Sequence, residues 1–321
     1  MKELLSFVSS KTQSLLGQSF PQLKVRGSEQ NVARNVLAFF AEAANTVRPN
    51  TDIDDWVKSL GSLKITERIV AYEASFATAV CLDVSNPQEQ SRTARMLELS
   101  PEHIAGLGLG VGHALSTLNI SADITPSISE HYLGWMAMDA YGMSEGYFRW
   151  CDRIYAVKTP PDLPPLAMSA FDQGLGRGIW FAANGDAAMI HGLVERFPLW
   201  RQPNLWRGVG LMTSFWGAED EFSMKQLLRF SKQFRPFFQQ GAAHGVSFRC
   251  DLDEVTEYTK AAAQLICGAT VSEINELSQV LMAQNMRDNF DSRAYLNWQN
   301  DLTKLFSDGE LLLIGEGNAR D

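Results

Sequence analysis

The sequence has few of the usual signatures of chemistry. Its four cysteines, Cys81, Cys151, Cys250 and Cys267, form no CxxC pair and no metal-ligand spacing. They are read as reduced, mostly buried thiols of a cytoplasmic protein. The five histidines, His103, His113, His131, His191 and His244, are scattered, with no HExxH, so no structural metal is expected. There is no GxSxG, no phosphate-binding loop and no local Cys-His motif, and no cofactor is implied. Basic residues are outnumbered, 28 against 37 acidic, for a net charge of −9. That argues against nucleic acid as a partner, which needs clustered Lys and Arg. No segment reaches the roughly 18 consecutive apolar residues of a membrane span. Residues 1–17 carry Leu4, Leu5, Val8, Leu15 and Leu16 on a helical period. Without an apolar core or cleavage site they read as a surface helix, not a secretory signal. Period-two alternation is scarce and β-branched runs are short, so the expected class is all-α.

What the chain does have is a repeated block. FDQGLGRGIWF at Phe171–Phe181 recurs as FQQGAAHGVSF at Phe238–Phe248, DAYGMSEGYFR at Asp139–Arg149 and YEASFATAVCL at Tyr72–Leu82. Gly142 follows Ser75 by 67 residues and Gly241 follows Gly174 by 67; the other spacing is 99, from Ser75 to Gly174 and from Gly142 to Gly241. Four blocks on one spacing predict an internally duplicated helical domain, two repeats of about 99 residues with pseudo-two-fold symmetry. The expected layout is an N-terminal helical segment 1–62, repeat one at 63–160, repeat two at 161–270 and C-terminal helices at 271–321, in one compact domain. The expected linker is Thr159-Pro160-Pro161-Asp162-Leu163-Pro164-Pro165, which neither helix nor central strand tolerates.

Numbered from its first residue as zero, each block has one stripe at 0, 3, 7 and 10. It places Phe171, Gly174, Gly178 and Phe181 in a line, as it does Phe238, Gly241, Gly245 and Phe248. Large ends with small centres describe a close helix crossing, which must offset about 1 kcal/mol per helical glycine. A dinucleotide-binding reading of GLGRG or of GLGLGVG at Gly106 lacks the preceding strand. The second stripe, at 2, 6 and 9, is polar. It holds Gln173, Arg177 and Trp180; Gln240, His244 and Ser247; Tyr141, Glu145 and Phe148; Ala74, Thr78 and Cys81. If these stripes converge, Glu145 and His244 are candidate proton-transfer groups and Arg177 a candidate anion-stabilising cation. Gln173, Trp180, Gln240, Trp206 and Tyr141 are the candidate substrate-binding residues. The plainer readings are a solvent-facing stripe or a structural Glu145–Arg177 ion pair, and, for Trp206 and Trp216, core tryptophans. The acidic clusters Glu219-Asp220-Glu221 and Asp251-Asp253-Glu254 read as helix N-terminal acid.

The helices expected in order are 31–45, 52–60, 66–84 capped by Thr66, a polar amphipathic stretch at 87–98, one after Ser100-Pro101-Glu102 through 118, 127–156 either continuous or interrupted at Gly142 or Gly146, 166–183, 187–196, 204–216, 223–245 kinked before Pro236, 251–267, 270–283 and 292–306. An apolar tail, LLLIG, follows at Leu311–Gly315.

FDQGLGRGIWF, NLWRGVGLMTSFWGAED, FFQQGAAHGVSFRC and AAAQLICGATVSEI together resemble a bacterial family, the domain of unknown function 1702, over roughly residues 20–285. The first block departs from the glycine pattern, with Ser75 and Ala79. Members tend to occur in gene clusters for enediynes and other polyketide-type natural products. The resemblance therefore implies a role in specialised-metabolite biosynthesis and carries over no catalytic residue. The expected function is a cofactor-independent enzyme that cyclises, isomerises or adds to a hydrophobic polyketide-like intermediate in a pocket at the repeat interface. The alternatives are a non-catalytic metabolite carrier and a helical scaffold docking a synthase. Expected partners are that small molecule and, as protein, a second copy of the chain or another biosynthetic enzyme.

Overall fold

A computed structural model of the chain describes residues 40, 42–44, 46, 50–86, 91–118, 132–160, 163–218, 220–286 and 291–308. The helix expected at 1–17, most of that at 31–45, the starts of those at 87–98 and 127–156, part of the proline linker and the tail at 311–315 lie outside these residues. All regular structure among the described residues is helical, and the protein is all-α. The chain packs as two compact units, 1–122 and 123–321.

In the first unit, α1 (Ile53–Gly61) starts where the Asp52 carboxylate accepts from the backbone N–H groups of Asp54 and Asp55. Next come α2 (Ile65–Ser85), α3 (Arg92–Leu99), a 3₁₀ turn at Pro101–His103 and α4 (Ile104–Leu118). Helix α2 begins one residue before the expected capping Thr66. Leu60, Tyr72, Phe76 and Met96 are the large members of the core.

The second unit holds α5 (Tyr132–Phe148), α6 (Pro165–Ala183), α7 (Ala187–Val194), α8 (Gln202–Phe215), α9 (Glu221–Phe230), α10 (Arg235–Asp251), α11 (Glu257–Ala262), α12 (Val271–Asn285) and α13 (Ser292–Asp308). Proline opens α6, α8 and α10, where a missing N–H costs nothing. Asn184 ends α6 in a left-handed turn. Thr270 and Glu273 form a reciprocal capping box on α12.

Three expected helices are broken. The stretch 127–156 runs straight through Gly142 and Gly146, then ends at Phe148 and is followed by a π turn at Cys151–Tyr155. The helix at 223–245 is two, separated by Lys232 with φ 48° and a 3₁₀ turn at Lys232–Phe234. The helix at 251–267 does not form as one. Asp253 takes φ 51°, Arg249 pairs with Glu254, and Thr256 caps a fresh start at Glu257. Asp251 thus closes α10, and Asp253 and Glu254 follow it, so none of the three opens a helix, whereas Asp220 caps α9 as expected.

Helices α5, α6, α8 and α10 pack as successive neighbours, and each crossing is made of backbone. A Cβ on Gly142 would run into the Phe171 carbonyl, and one on Gly174 into the Asp139 carbonyl. Gly176 and Gly208 stand in the same way against the carbonyls of Leu205 and Gln173. So do Gly210 and Gly241 against those of Phe238 and Arg207. Each crossing is therefore reciprocal: on both helices, a glycine three residues after a carbonyl meets the partner's carbonyl. Only a missing side chain permits this approach, and Cα–H···O contacts come with it. In the first unit, α2 and α4 cross at Gly110, where a Cβ would sit 2.6 Å from the Phe76 Cβ. Gly192, exposed on α7, meets nothing within 4 Å. Gly174→Ala should therefore destabilise the protein by roughly 1–3 kcal/mol through overpacking. Gly192→Ala should stabilise it by roughly 0.5–1 kcal/mol through helix propensity. Urea unfolding of the two variants checks the opposite signs.

Candidate functional site

Helices pinned this closely bring polar side chains together inside the second unit. Helix α6 presents Gln173 and Arg177, α10 presents Gln240 and His244, and α13 presents Tyr295 and Gln299. Each pair is spaced i, i+4, so each lies on one face of its helix. Helix α5 adds Asp139, and α13 packs against both α5 and α10.

The hydrogen bonds run as a relay. The Gln299 amide donates to Gln173 Oε1 at 2.9 Å, and Gln173 Nε2 donates to Asp139 Oδ2 at 2.8 Å. Arg177 Nη1 donates to the other oxygen, Asp139 Oδ1. The Asp139 carboxylate is thus held on both oxygens, one by a charge and one by an oriented amide. Beside it, Tyr295 Oη and His244 Nε2 are 3.0 Å apart. The imidazole meets the Trp298 ring edge to face at 5.0 Å between centroids. Arg177 and His244 keep some accessible surface, while Asp139, Gln173, Gln240 and Gln299 are buried.

Electrostatics follow from this packing. Burial, and then the positive charge of Arg177, lowers the His244 pKa to about 3. His244 is therefore neutral at physiological pH, and its imidazole can accept a hydrogen bond. Burial, and then the negative charge of Asp139, raises the pKa of the Tyr295 hydroxyl, so it stays a phenol. Gln240 stands apart. It is 0 % exposed, and neither its amide oxygen nor its nitrogen has a hydrogen-bond partner. Gln299 Oε1 is likewise unpartnered. Burying an amide without partners costs roughly 1–3 kcal/mol.

Four of the residues singled out in the sequence, Gln173, Arg177, Gln240 and His244, therefore lie on the faces that meet here. The others are placed differently. Glu145 is fully buried, but its carboxylate accepts from Arg153 at 2.7 Å and pairs with Arg149 at 3.4 Å. The partner of Arg177 is Asp139, not Glu145. Tyr141 packs on Phe171, and burial raises the pKa of its hydroxyl. Trp180 lies edge-on to Phe181 and Trp206 edge-on to Phe238; both are buried. Thr78, on α2 in the first unit, donates to the carbonyls of Ala44 and Ala74. Asp139, Tyr295 and Gln299 were missed. Asp139 had a readable signal: it stands where the other three blocks carry Tyr72, Phe171 and Phe238.

Fold and network together define an all-helical protein with a charged, hydrogen-bonded interior. The chain belongs to the family described as Protein of unknown function (DUF1702), whose model matches residues 2–306. No curated protein and no solved structure matches it. Among the described residues, no helix is long and apolar enough to cross a membrane.

The His244 shift carries a pH signature. An unfolded histidine binds its proton near 6.5, the folded one only near 3. The depressed pKa thus contributes stability that is whole above pH 6.5 and is lost as pH falls toward 3. Asp172, raised to about 6 by burial, has the opposite sign and gains stability over part of that range. The difference between wild type and His244→Asn isolates the histidine. Between pH 7 and 5 the wild type should lose up to about 2 kcal/mol more than the variant, read by urea unfolding at both pH values. Equal pH dependence would show that His244 titrates normally.

Proposed function

We propose that the chain is a cofactor-independent enzyme of specialised-metabolite biosynthesis, acting on a hydrophobic polyketide-like intermediate by cyclisation, isomerisation or addition. The observation that carries this reading is Gln240: a fully buried amide with both ends unpartnered, one helical turn from His244. A protein retains such a group at a cost to its stability when a ligand's polar atom completes it. In this reading Gln240 binds a carbonyl or hydroxyl of the substrate. Arg177, oriented by Asp139, stabilises negative charge developing on it. Neutral His244 and the Tyr295 phenol, both held uncharged by their surroundings, hydrogen-bond to the substrate's polar groups and orient them. Gln173 and Gln299 fix the Asp139 carboxylate. Glu145, already held by two arginines, has no part in this contact.

The same reading includes the internal duplication. Helices α2 and α4 cross at Gly110, and α6 and α8 cross at Gly208. In sequence the 99-to-100-residue offset pairs Ser75 with Gly174 and Gly110 with Gly210, although Gly210 faces α10 and not α6. Helix α5 then belongs to the first repeat and α6 and α10 to the second, which makes the network a meeting place of repeats. Members' occurrence in natural-product gene clusters supports the substrate class, and a cytoplasmic location accords with reduced cysteines.

Gln240→Leu separates function from folding. It should raise the melting temperature, because it removes an unpaired buried amide worth roughly 1–3 kcal/mol, and abolish product formation in cells that carry it. Tyr295→Phe should lower turnover by about 10²-fold or more. A destabilised Gln240→Leu protein with full product titre would sink the proposal. Retention of a metabolite by wild type with no dependence of product on Tyr295 would favour the carrier reading.

A further inference from the structure

A second feature of the same unit lies outside the polar network. A cleft of about 350 Å³ opens at the start of α6, within the size range of small-molecule sites. Pro165, Met168, Ser169 and Asp172 line it from α6, Trp200 from the loop before α8, and Asn204 from the first turn of α8. Trp200 is 65 % exposed, an unusual position for an indole. Asp172 lines the cleft and is 1 % exposed, so its carboxylate is desolvated.

Its counterion decides what the cleft accepts. Arg201 Nε donates to both Asp172 oxygens at 3.0 and 3.1 Å, and Nη2 donates to Oδ1 at 2.5 Å. The pair has no net charge. A ligand ammonium drawn to Asp172 would meet the Arg201 charge, and a ligand carboxylate would meet Asp172. The Asp172 Oδ2 atom receives only one of these bonds, so it retains capacity to accept another. Asn204 Oδ1 is already taken by Arg207 at 3.1 Å, which leaves its amide hydrogens as donors on the cleft wall. Arg201 Nη1 is buried and has no partner. Polar groups here therefore match a neutral group that both donates and accepts. The remaining walls, Pro165, Met168 and the Trp200 indole, are apolar and suit a flat ring.

We propose that this cleft is a binding site for a neutral, hydroxyl-bearing planar molecule, its ring on Trp200 and its hydroxyl donating to Asp172. The site is independent of the chemistry assigned to His244 and Tyr295. Burial keeps the carboxyl's pKa at about 6, so it is ionised and able to accept at neutral pH.

The test uses the full chain with 2-naphthol as probe, titrated by calorimetry or saturation-transfer NMR. Naphthalene, 2-naphthoate and naphthylmethylammonium serve as comparators. Saturable binding of 2-naphthol is expected, weaker binding of all three comparators, and about a tenfold loss in Trp200→Ala from the missing aromatic contact. Asp172→Asn should narrow the gap between 2-naphthol and naphthalene. If that variant fails to fold, Trp200 lies on the surface and its variant, with the comparator series, still decides. No saturable 2-naphthol binding, equal binding by Trp200→Ala, or equal or tighter binding of either charged comparator would overturn the proposal.

Discussion

The structure depends on backbone meeting backbone. At three successive crossings in the second unit, a glycine on each helix faces a carbonyl on the other. Dispersion and weak Cα–H···O contacts are small one by one, but here they recur along four helices, beside side-chain contacts such as Tyr141 on Phe171 and Trp206 on Phe238. The arrangement leaves little slack, because any Cβ at these positions would occupy a carbonyl oxygen's place. The stripe of small residues costs helix propensity and returns a fixed interaxial geometry.

That geometry is what allows a polar interior. Asp139 is buried and Arg177 largely so, and ion pairs withdrawn from water tolerate little error, because removing one partner leaves the other charge uncompensated. Here the carboxylate also accepts from Gln173, itself set by Gln299. The glycine face and the polar face of α6 serve one end. Close crossing on one side holds Gln173 and Arg177 in position on the other. The interior is not fully satisfied, however. Gln240 is left without partners a turn from a neutral histidine, an arrangement that burial alone disfavours.

Much of this was legible in the sequence. Helix α6 was expected at 166–183 and occupies Pro165–Ala183. Periodicity and proline or threonine at helix starts are local physics, and they read well. The stripe at positions 2 and 6 of the blocks pointed to Gln173, Arg177, Gln240 and His244. Its failures have physical causes. Glu145 sits on the same stripe, but the π turn after α5 brings Arg153 back onto it, and no pattern in the helix foretells that return. Tyr295 and Gln299 lie on a closing helix outside the blocks, so repetition could not mark them. The break at 252–256 came from a side-chain pair, Arg249 with Glu254, that competes with helix continuation.

The glycine crossings set the environment of the polar network. Helix α10 tests it, since Gly241, between Gln240 and His244, is the glycine that meets the Arg207 carbonyl. The measurement is the NMR titration of the His244 imidazole in wild type and in Gly241→Ala. With the crossing intact, His244 should stay neutral to about pH 3. With α10 pushed away from α8, its pKa should rise toward the ordinary value of 6.5 as water reaches the ring. An unchanged titration in a folded but destabilised variant would contradict the account.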